Sequence, residues 1–152
     1  MFRKTVIAGA TAAAAALTLT PVMAADYKGP DLKGETVTVT CPWTGAEEGM
    51  FKKVIANFEK STGATVKHSC SQSSEQQIVI DIKAGSPSNI SVFPQPGLAA
   101  NMAAIGGLVP LGDKAGDWVK KNYAAGSSWA DLGTYANKAG KKEFYGLFYN
   151  VN

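Results

Sequence analysis

The sequence predicts an α/β protein with a mostly parallel, open sheet and flanking helices. Segments rich in β-branched residues recur along the chain, and each of the first three is followed by a segment with the apolar spacing of a helix. Strands and helices that alternate in this way form parallel sheets with right-handed crossovers. The carboxyl ends of parallel strands share one edge of the sheet, and ligands bind at that edge in open α/β folds.

The first strand and the first helix have the clearest patterns. Residues 35–41 alternate threonine with valine, as is typical of a strand. Glu47 and Glu48 stand where a helix should begin, and negative charge is favourable at that end of a helix. Apolar residues then recur at helical spacing as far as Phe58, and Gly63 is expected to end the helix.

A second strand is predicted over residues 64–70, and the segment after it fits two interpretations. Isoleucines at alternate positions suit a strand, but Ser74 and Gln77 form a possible capping box and Gly85 ends the segment. We therefore predict a helix over residues 75–84.

The rest of the chain predicts shorter elements. Residues 90–93 are expected to be a short buried strand, ended by the prolines that follow. Helices are predicted over residues 98–105 and from Asp113 to about Tyr123, with a loop over residues 126–135. Residues 144–149 alternate aromatic and aliphatic side chains, which predicts a further strand.

Residues 1–25 have the features of a cleaved secretory signal peptide. Two basic residues precede an apolar run over residues 6–19, and small residues follow as far as Ala25. A membrane anchor is disfavoured because the run is too short to cross about 30 Å of hydrocarbon. We expect export to the periplasm.

Charge and cysteine content narrow the possible partners. The 15 basic side chains fall to 13 when Arg3 and Lys4 leave with the signal peptide, against 12 acidic ones. Such a balance does not suggest nucleic acid or an anionic membrane as a partner. Cys41 and Cys70 are expected to form a disulfide in an oxidising compartment. A metal site is not expected, because His68 is the one other soft ligand after residue 25.

The motifs of common enzymes are missing from the sequence. There is no Gly-x-Ser-x-Gly elbow and no phosphate-binding glycine loop. Glu47 and Glu48 are adjacent, so they face different ways and cannot flank a glycosidic bond as a catalytic pair. We expect a binding protein without catalytic residues or a cofactor.

Aromatic and neutral polar residues follow the three predicted strands. Aromatic rings can pack on the apolar faces of a sugar while amides and hydroxyls bond its hydroxyl groups. The shared edge is therefore expected to bind a neutral, polyhydroxylated ligand. The candidate contacts are Trp43, Thr44, Gln72, Ser73, Phe93 and Gln95.

Four segments of the chain carry a resemblance to a known family: residues 42–45, 85–97, 108–111 and 145–149. Together they resemble the sugar-binding proteins of bacterial ABC transporters, and the Phe-Pro-Gln-Pro-Gly sequence is similar to the α-glucoside-binding branch. The resemblance covers essentially the whole chain after the signal peptide.

This resemblance implies a monomeric periplasmic protein with two α/β lobes and a hinge. An oligosaccharide would bind between the lobes and pass to the permease subunits in the inner membrane. Residues 26–143 would form the first lobe and residues 144–152 the strand that enters the hinge, with the second lobe absent. Glu47 and Asn150 join the expected ligand contacts. The alternatives are a protein of the same fold for a peptide or polyol, and a fragment of a secreted hydrolase.

Overall fold

The computed structural model describes residues 29–149. The predicted signal peptide and Asn150 lie outside this range. No helix within residues 29–149 has the length and apolar character needed to cross a membrane. The elements are β1 (Thr36–Cys41), α1 (Ala46–Thr62), β2 (Thr65–Cys70), α2 (Ser74–Ala84), β3 (Ile90–Ser91), α3 (Pro96–Ala104), α4 (Asp113–Asn122), α5 (Ser127–Leu132), β4 (Thr134–Ala136) and β5 (Lys142–Phe144).

The first three strands form a parallel sheet in the order β2-β1-β3. The pairing of β1 with β2 runs from Thr36 opposite Thr65 to Cys41 opposite Cys70. The last three residues of β1 are buried, as expected for a central strand. The predicted α/β class, with a mostly parallel sheet and flanking helices, is confirmed.

Helix α1 has the predicted position and the predicted end. Gly63 adopts the left-handed conformation (φ 77°), and its N–H donates to the carbonyl of Glu59. Ile55 is buried against the rest of the fold, whereas Met50 and Val54 are exposed. The helical spacing of the apolar residues therefore predicted the helix but not which of its faces is covered.

Helix α2 confirms the helical interpretation of its segment, but the predicted capping box is wrong. The helix begins at Ser74 itself, because the N–H of Ser74 donates to the carbonyl of Ser71 and closes a turn directly after β2. Ser73 becomes the N-cap and makes no side-chain capping bond. The hydroxyl of Ser74 is buried and has no hydrogen-bond partner among the described residues.

Strand β3 is shorter and more exposed than predicted. It contains two residues, and Ile90 is 51% exposed, so the expectation of a buried strand over residues 90–93 is wrong. Among residues 29–149, β3 lies at the edge of the sheet and pairs with β1 alone. The N–H of Val92 still donates to the carbonyl of Thr40 at 2.8 Å, and pairing stops before Pro94.

The carboxyl-terminal part contains a separate antiparallel pair, β4 with β5, in which Thr134 lies opposite Phe144. The predicted loop over residues 126–135 is wrong, because this segment contains α5 and the start of β4. The predicted strand over residues 144–149 is also wrong, because β5 ends at Phe144. Phe144 is buried with Val119 of α4 and Ala130 of α5. This packing decides where the strand lies.

Candidate ligand-binding edge

Three loops leave the parallel sheet at the same edge. They follow Cys41 of β1, Cys70 of β2 and Ser91 of β3, and the three strands run in one direction. The topology therefore brings together the loops that carry six of the predicted contact residues. We call this the ligand-binding edge, and its predicted residues are Trp43, Thr44, Gln72, Ser73, Phe93 and Gln95.

Trp43 is the best-anchored side chain of the edge. Its half-buried ring lies 4.6 Å from the ring of Phe51, between ring centroids, and this contact joins the first loop to α1. The ring of Tyr149 meets Trp43 edge-on at 5.1 Å. Offset and edge-on contacts of this kind are the favourable arrangements for aromatic pairs. Trp43 is thus held in position while part of its surface remains accessible.

The first two loops begin at a covalent link. Cys41 and Cys70 are opposite each other in the register, with Cα atoms 4.4 Å apart, and they form a disulfide. The N–H of Ser71 donates to the carbonyl of Cys41 at 2.9 Å and extends the pairing by one residue. Thr44, Gln72 and Ser73 are exposed beyond this point.

The third loop presents a half-buried ring and an exposed amide. Gln95 is the N-cap of α3 in an extended conformation (φ −136°, ψ 134°), and Pro96 occupies the first turn of the helix. The side chain of Gln95 makes no capping hydrogen bond. Its amide can therefore bond a ligand, while Phe93 next to it is half-buried.

The two glutamates at the start of α1 have different surroundings. The carboxylate of Glu48 lies 2.8 Å from Lys52 Nζ and 3.6 Å from His68 Nε2. The hydrogen bond from Lys52, together with the charge of Lys52, lowers the pKa of Glu48 below its ordinary value, and His68 acts in the same direction. Glu47 is exposed and forms no ion pair among residues 29–149. A ligand contact by Glu47 stays a prediction.

A second group of aromatic side chains lies beside the edge, and the sequence had indicated no ligand role for it. An open depression of about 380 Å³ is lined by Tyr123, Ala124, Trp129, Phe148 and Tyr149. We call it the aromatic depression. Tyr123 donates its hydroxyl to the carbonyl of Phe148 at 2.7 Å, and the Trp129 ring lies 5.7 Å from that of Tyr123.

Tyr149 connects the aromatic depression to the edge, because it lines the depression and also contacts Trp43. The side chain of Tyr149 is exposed despite these contacts. The sequence analysis proposed no ligand contact there, and the signal that could have made Tyr149 a candidate was the density of aromatic residues over positions 144–149.

Comparison with solved structures supports the fold. The chain is similar to CpMnBP1 solved with mannotriose bound, with a TM-score of 0.51 and 18% identity over 74% of this chain and 28% of that one. The same protein with mannobiose bound gives a TM-score of 0.52 and 18% identity, over 76% and 29%. This likeness places the chain in the α/β fold of these proteins. No protein-family profile matches the chain.

Comparison of the sequence is more specific. The chain is 50% identical, over 125 residues, to the alpha-glucosides-binding periplasmic protein AglE of Rhizobium meliloti (strain 1021), which covers 82% of this chain and 27% of AglE. It is 25% identical, over 140 residues, to the osmoprotective compounds-binding protein GgtB of Synechocystis sp. (strain ATCC 27184 / PCC 6803 / Kazusa), which covers 90% of this chain and 32% of GgtB. The chain is related to bacterial periplasmic solute-binding proteins, and it spans about a third or less of the length of these curated relatives.

Proposed function

We propose that this chain belongs to the solute-binding component of a carbohydrate ABC transporter, which captures an oligosaccharide, most simply an α-glucoside, and delivers it to the membrane permease. The 50% identity to an alpha-glucosides-binding periplasmic protein carries this proposal. In it the protein works by binding, without catalysis and without a cofactor, and it acts as a monomer in the periplasm after its signal peptide is removed.

The chemistry of the edge supports a neutral sugar as ligand. Trp43 offers a partly accessible ring, and Gln72 and Gln95 offer exposed amides on the neighbouring loops. A sugar has apolar faces for the ring and hydroxyl groups for the amides. Thr44, Ser73, Phe93, Glu47 and Asn150 complete the proposed set of contacts.

The proposed domain organisation follows the same resemblance. Residues 26–143 form most of a first lobe in this proposal, and residues 144–152 lead into a hinge. The strand in this region is β5, which ends at Phe144, so in this proposal the path toward the hinge lies beyond the strand. The second lobe would come from the length of the relatives that this chain does not span.

A second candidate function is the binding of a different small solute, such as a polyol. The relationship to an osmoprotective compounds-binding protein favours it, but at 25% identity rather than 50%. Both candidates use the same edge. They differ in the chemistry of the ligand: a saccharide has a sugar ring that can pack against Trp43, whereas an acyclic polyol has none.

Calorimetric titration of the full-length protein, from residue 26 through the proposed second lobe, tests the proposal, with maltose, trehalose, sucrose and sorbitol as ligands. We expect a saccharide to bind and the Trp43→Ala variant to bind it about tenfold more weakly, because an aromatic contact contributes about 1 kcal/mol. Trp118→Ala is the matched control, since Trp118 is an exposed tryptophan on α4. Binding of sorbitol alone would favour the second candidate, and binding of none of the four would refute the first.

A further inference from the structure

The Cys41–Cys70 disulfide lies where two of the proposed ligand loops leave the sheet. Cys41 is the last residue of β1 and precedes the loop that carries Trp43. Cys70 is the last residue of β2 and precedes the loop that carries Gln72 and Ser73. The covalent bond therefore joins the two strands at the final paired position before both loops begin.

The second of these loops is only residues 71–73, and it leads directly from β2 into α2. The N–H groups of Ser74 and Gln77 donate to the carbonyls of Ser71 and Ser73 and hold its far end. Gln72 and Ser73 are exposed, and the hydroxyl of Ser73 bonds that of Ser71 at 3.2 Å within the same loop. Ser71 is the residue that ties the loop to β1, through its N–H and the carbonyl of Cys41. The position of Gln72 relative to Trp43 thus depends on the end of the β1–β2 pairing.

The opposite side of β1 is held without a covalent bond. The hydroxyls of Thr40 and Ser88 are 2.7 Å apart, and Val92 donates to the Thr40 carbonyl at 2.8 Å. Hydrogen bonds at the end of an element open more readily than those inside it. A disulfide at the end of β1 and β2 removes that freedom. Cys41 is also fully buried, so the bond is fixed within the fold.

We propose that the Cys41–Cys70 disulfide is a positioning element for the ligand. It holds the loop of Trp43 and the loop of Gln72 and Ser73 at the spacing that a bound solute requires. This inference rests on the proposed function, because it assigns those residues to the ligand. Loss of the bond raises the cost of ordering the two loops on binding, and the affinity falls accordingly.

The test compares the full-length protein with its Cys41→Ala/Cys70→Ala variant at 15 °C, near the temperature at which small domains are most stable. We expect the variant to bind the saccharides of the panel about two- to tenfold more weakly, because about one or two additional side chains must then be immobilised when the ligand binds. Amide hydrogen exchange should become faster at Ser71 and Ser74, whose N–H groups form the backbone hydrogen bonds of the second loop. This increase should exceed the increase in α4 and β5, which follows only the general loss of stability.

A purely stabilising disulfide gives a different result. The variant would then bind the saccharides as tightly as the unaltered protein at 15 °C, and exchange at Ser71 and Ser74 would rise no more than in α4 and β5, which would overturn the inference. If the variant does not fold, the folded, unaltered protein with the disulfide reduced replaces it, and unchanged affinity after reduction overturns the inference. If the unaltered full-length protein binds no saccharide, the proposed function fails, and the exchange at Ser71 and Ser74 tests the positioning role separately.

Discussion

At the scale of single residues, the structure distinguishes glycines that must be glycine from those that need not be. A Cβ atom on Gly133 would overlap the carbonyl oxygen of Gly146 and would lie 2.8 Å from the ring of Phe144. Gly133 also accepts a hydrogen bond from the N–H of Tyr145 at 2.9 Å. The backbones at the start of β4 and after β5 therefore approach each other too closely for a side chain.

Gly133→Ala should lower the free energy of unfolding by about 2–3 kcal/mol, because the backbone must shift to admit the methyl group. Gly49→Ala is the matched control: Gly49 lies inside α1, and no atom is within 4 Å of the added Cβ. That change should raise the free energy of unfolding by about 0.5–1 kcal/mol, through helix propensity. Urea unfolding followed by circular dichroism measures both, and equal effects would contradict the argument.

Glu48 provides a residue-scale prediction about pH. Because its pKa is lowered in the folded state, chiefly by the hydrogen bond from Lys52, its contacts stabilise the fold at pH values above its ordinary pKa of 4.5. This contribution is lost as the pH falls through the lower, folded pKa. Glu48→Gln should therefore lower the melting temperature slightly at pH 7, since the pair is partly exposed.

The difference between Glu48→Gln and the unaltered chain should disappear as the pH is lowered below 4.5. Thermal melts from pH 7 down to about 3 would follow it. Glu47→Gln is the control, because it removes a charge from the same end of α1. If the two variants behave alike across this range, the contacts of Glu48 with Lys52 and His68 contribute nothing beyond the helix dipole.

At the scale of elements, α1 shows that an apolar pattern can be only partly covered. Ile55 is 8% exposed, while its neighbour Val54 is 62% exposed. Met50, Val54 and Phe58 follow one another at four-residue intervals, so they form a stripe along one face of the helix. The helical spacing of these residues predicted the helix but not that this stripe is exposed.

Alanine substitutions at Ile55 and Val54 should show that burial, and not the apolar spacing, determines how much each side chain stabilises the fold. Ile55→Ala should lower the free energy of unfolding by about 2–4 kcal/mol, because it removes buried methyl and methylene groups. Val54→Ala should change it by less than about 0.5 kcal/mol, because the site is exposed and alanine favours the helix. Urea unfolding of the two variants measures the contrast. A large loss at Val54 would mean that this face of α1 is covered in solution.

At the scale of the whole molecule, one covalent bond links elements that are separated by a complete helix. The disulfide joins residues 29 positions apart and encloses α1 in its loop. Closing a loop of this size restricts the unfolded chain far more than the folded one. The bond should therefore stabilise the domain in addition to its proposed effect on the ligand loops.

The Cys41→Ala/Cys70→Ala variant should lose roughly 3–4 kcal/mol of unfolding free energy in the chain-entropy model. Urea unfolding at 15 °C measures the loss. The unaltered chain with the disulfide reduced keeps both sulfur atoms, so its difference from the variant gives the part that comes from packing at the buried Cys41. A loss below about 1 kcal/mol would indicate that the unfolded chain is already compact around these strands.

The elements that the sequence predicted well are those specified by local chemistry. β1, α1 and β2 follow from β-branched alternation, helical spacing and the cap at Gly63, all within a few neighbouring residues. The parallel sheet and the Cys41–Cys70 pairing follow from their order along the chain. The order of the strands along the chain also predicted that the loops carrying the proposed ligand contacts lie at one edge of the sheet.

The elements that were predicted wrongly depend on distant partners. β3 is short and exposed because, in the part of the chain that the structure describes, it has β1 on one side and no strand on the other. The positions of β4 and β5 depend on the burial of Phe144 against α4 and α5. The alternation of aromatic residues after Phe144 instead predicted a strand beyond it, and this prediction is wrong because β5 ends at Phe144.

The sequence by itself determined the fold class, the disulfide and the resemblance to a family, because periodicity, glycine caps and motifs act over short distances. Only the tertiary structure shows that the ring of Tyr149 contacts that of Trp43 and so connects the ligand-binding edge to the aromatic depression. It also decided which face of α1 is covered and that Gly133 has no room for a side chain. These features arise where segments far apart in the chain come into contact, and no local pattern specifies which segments meet.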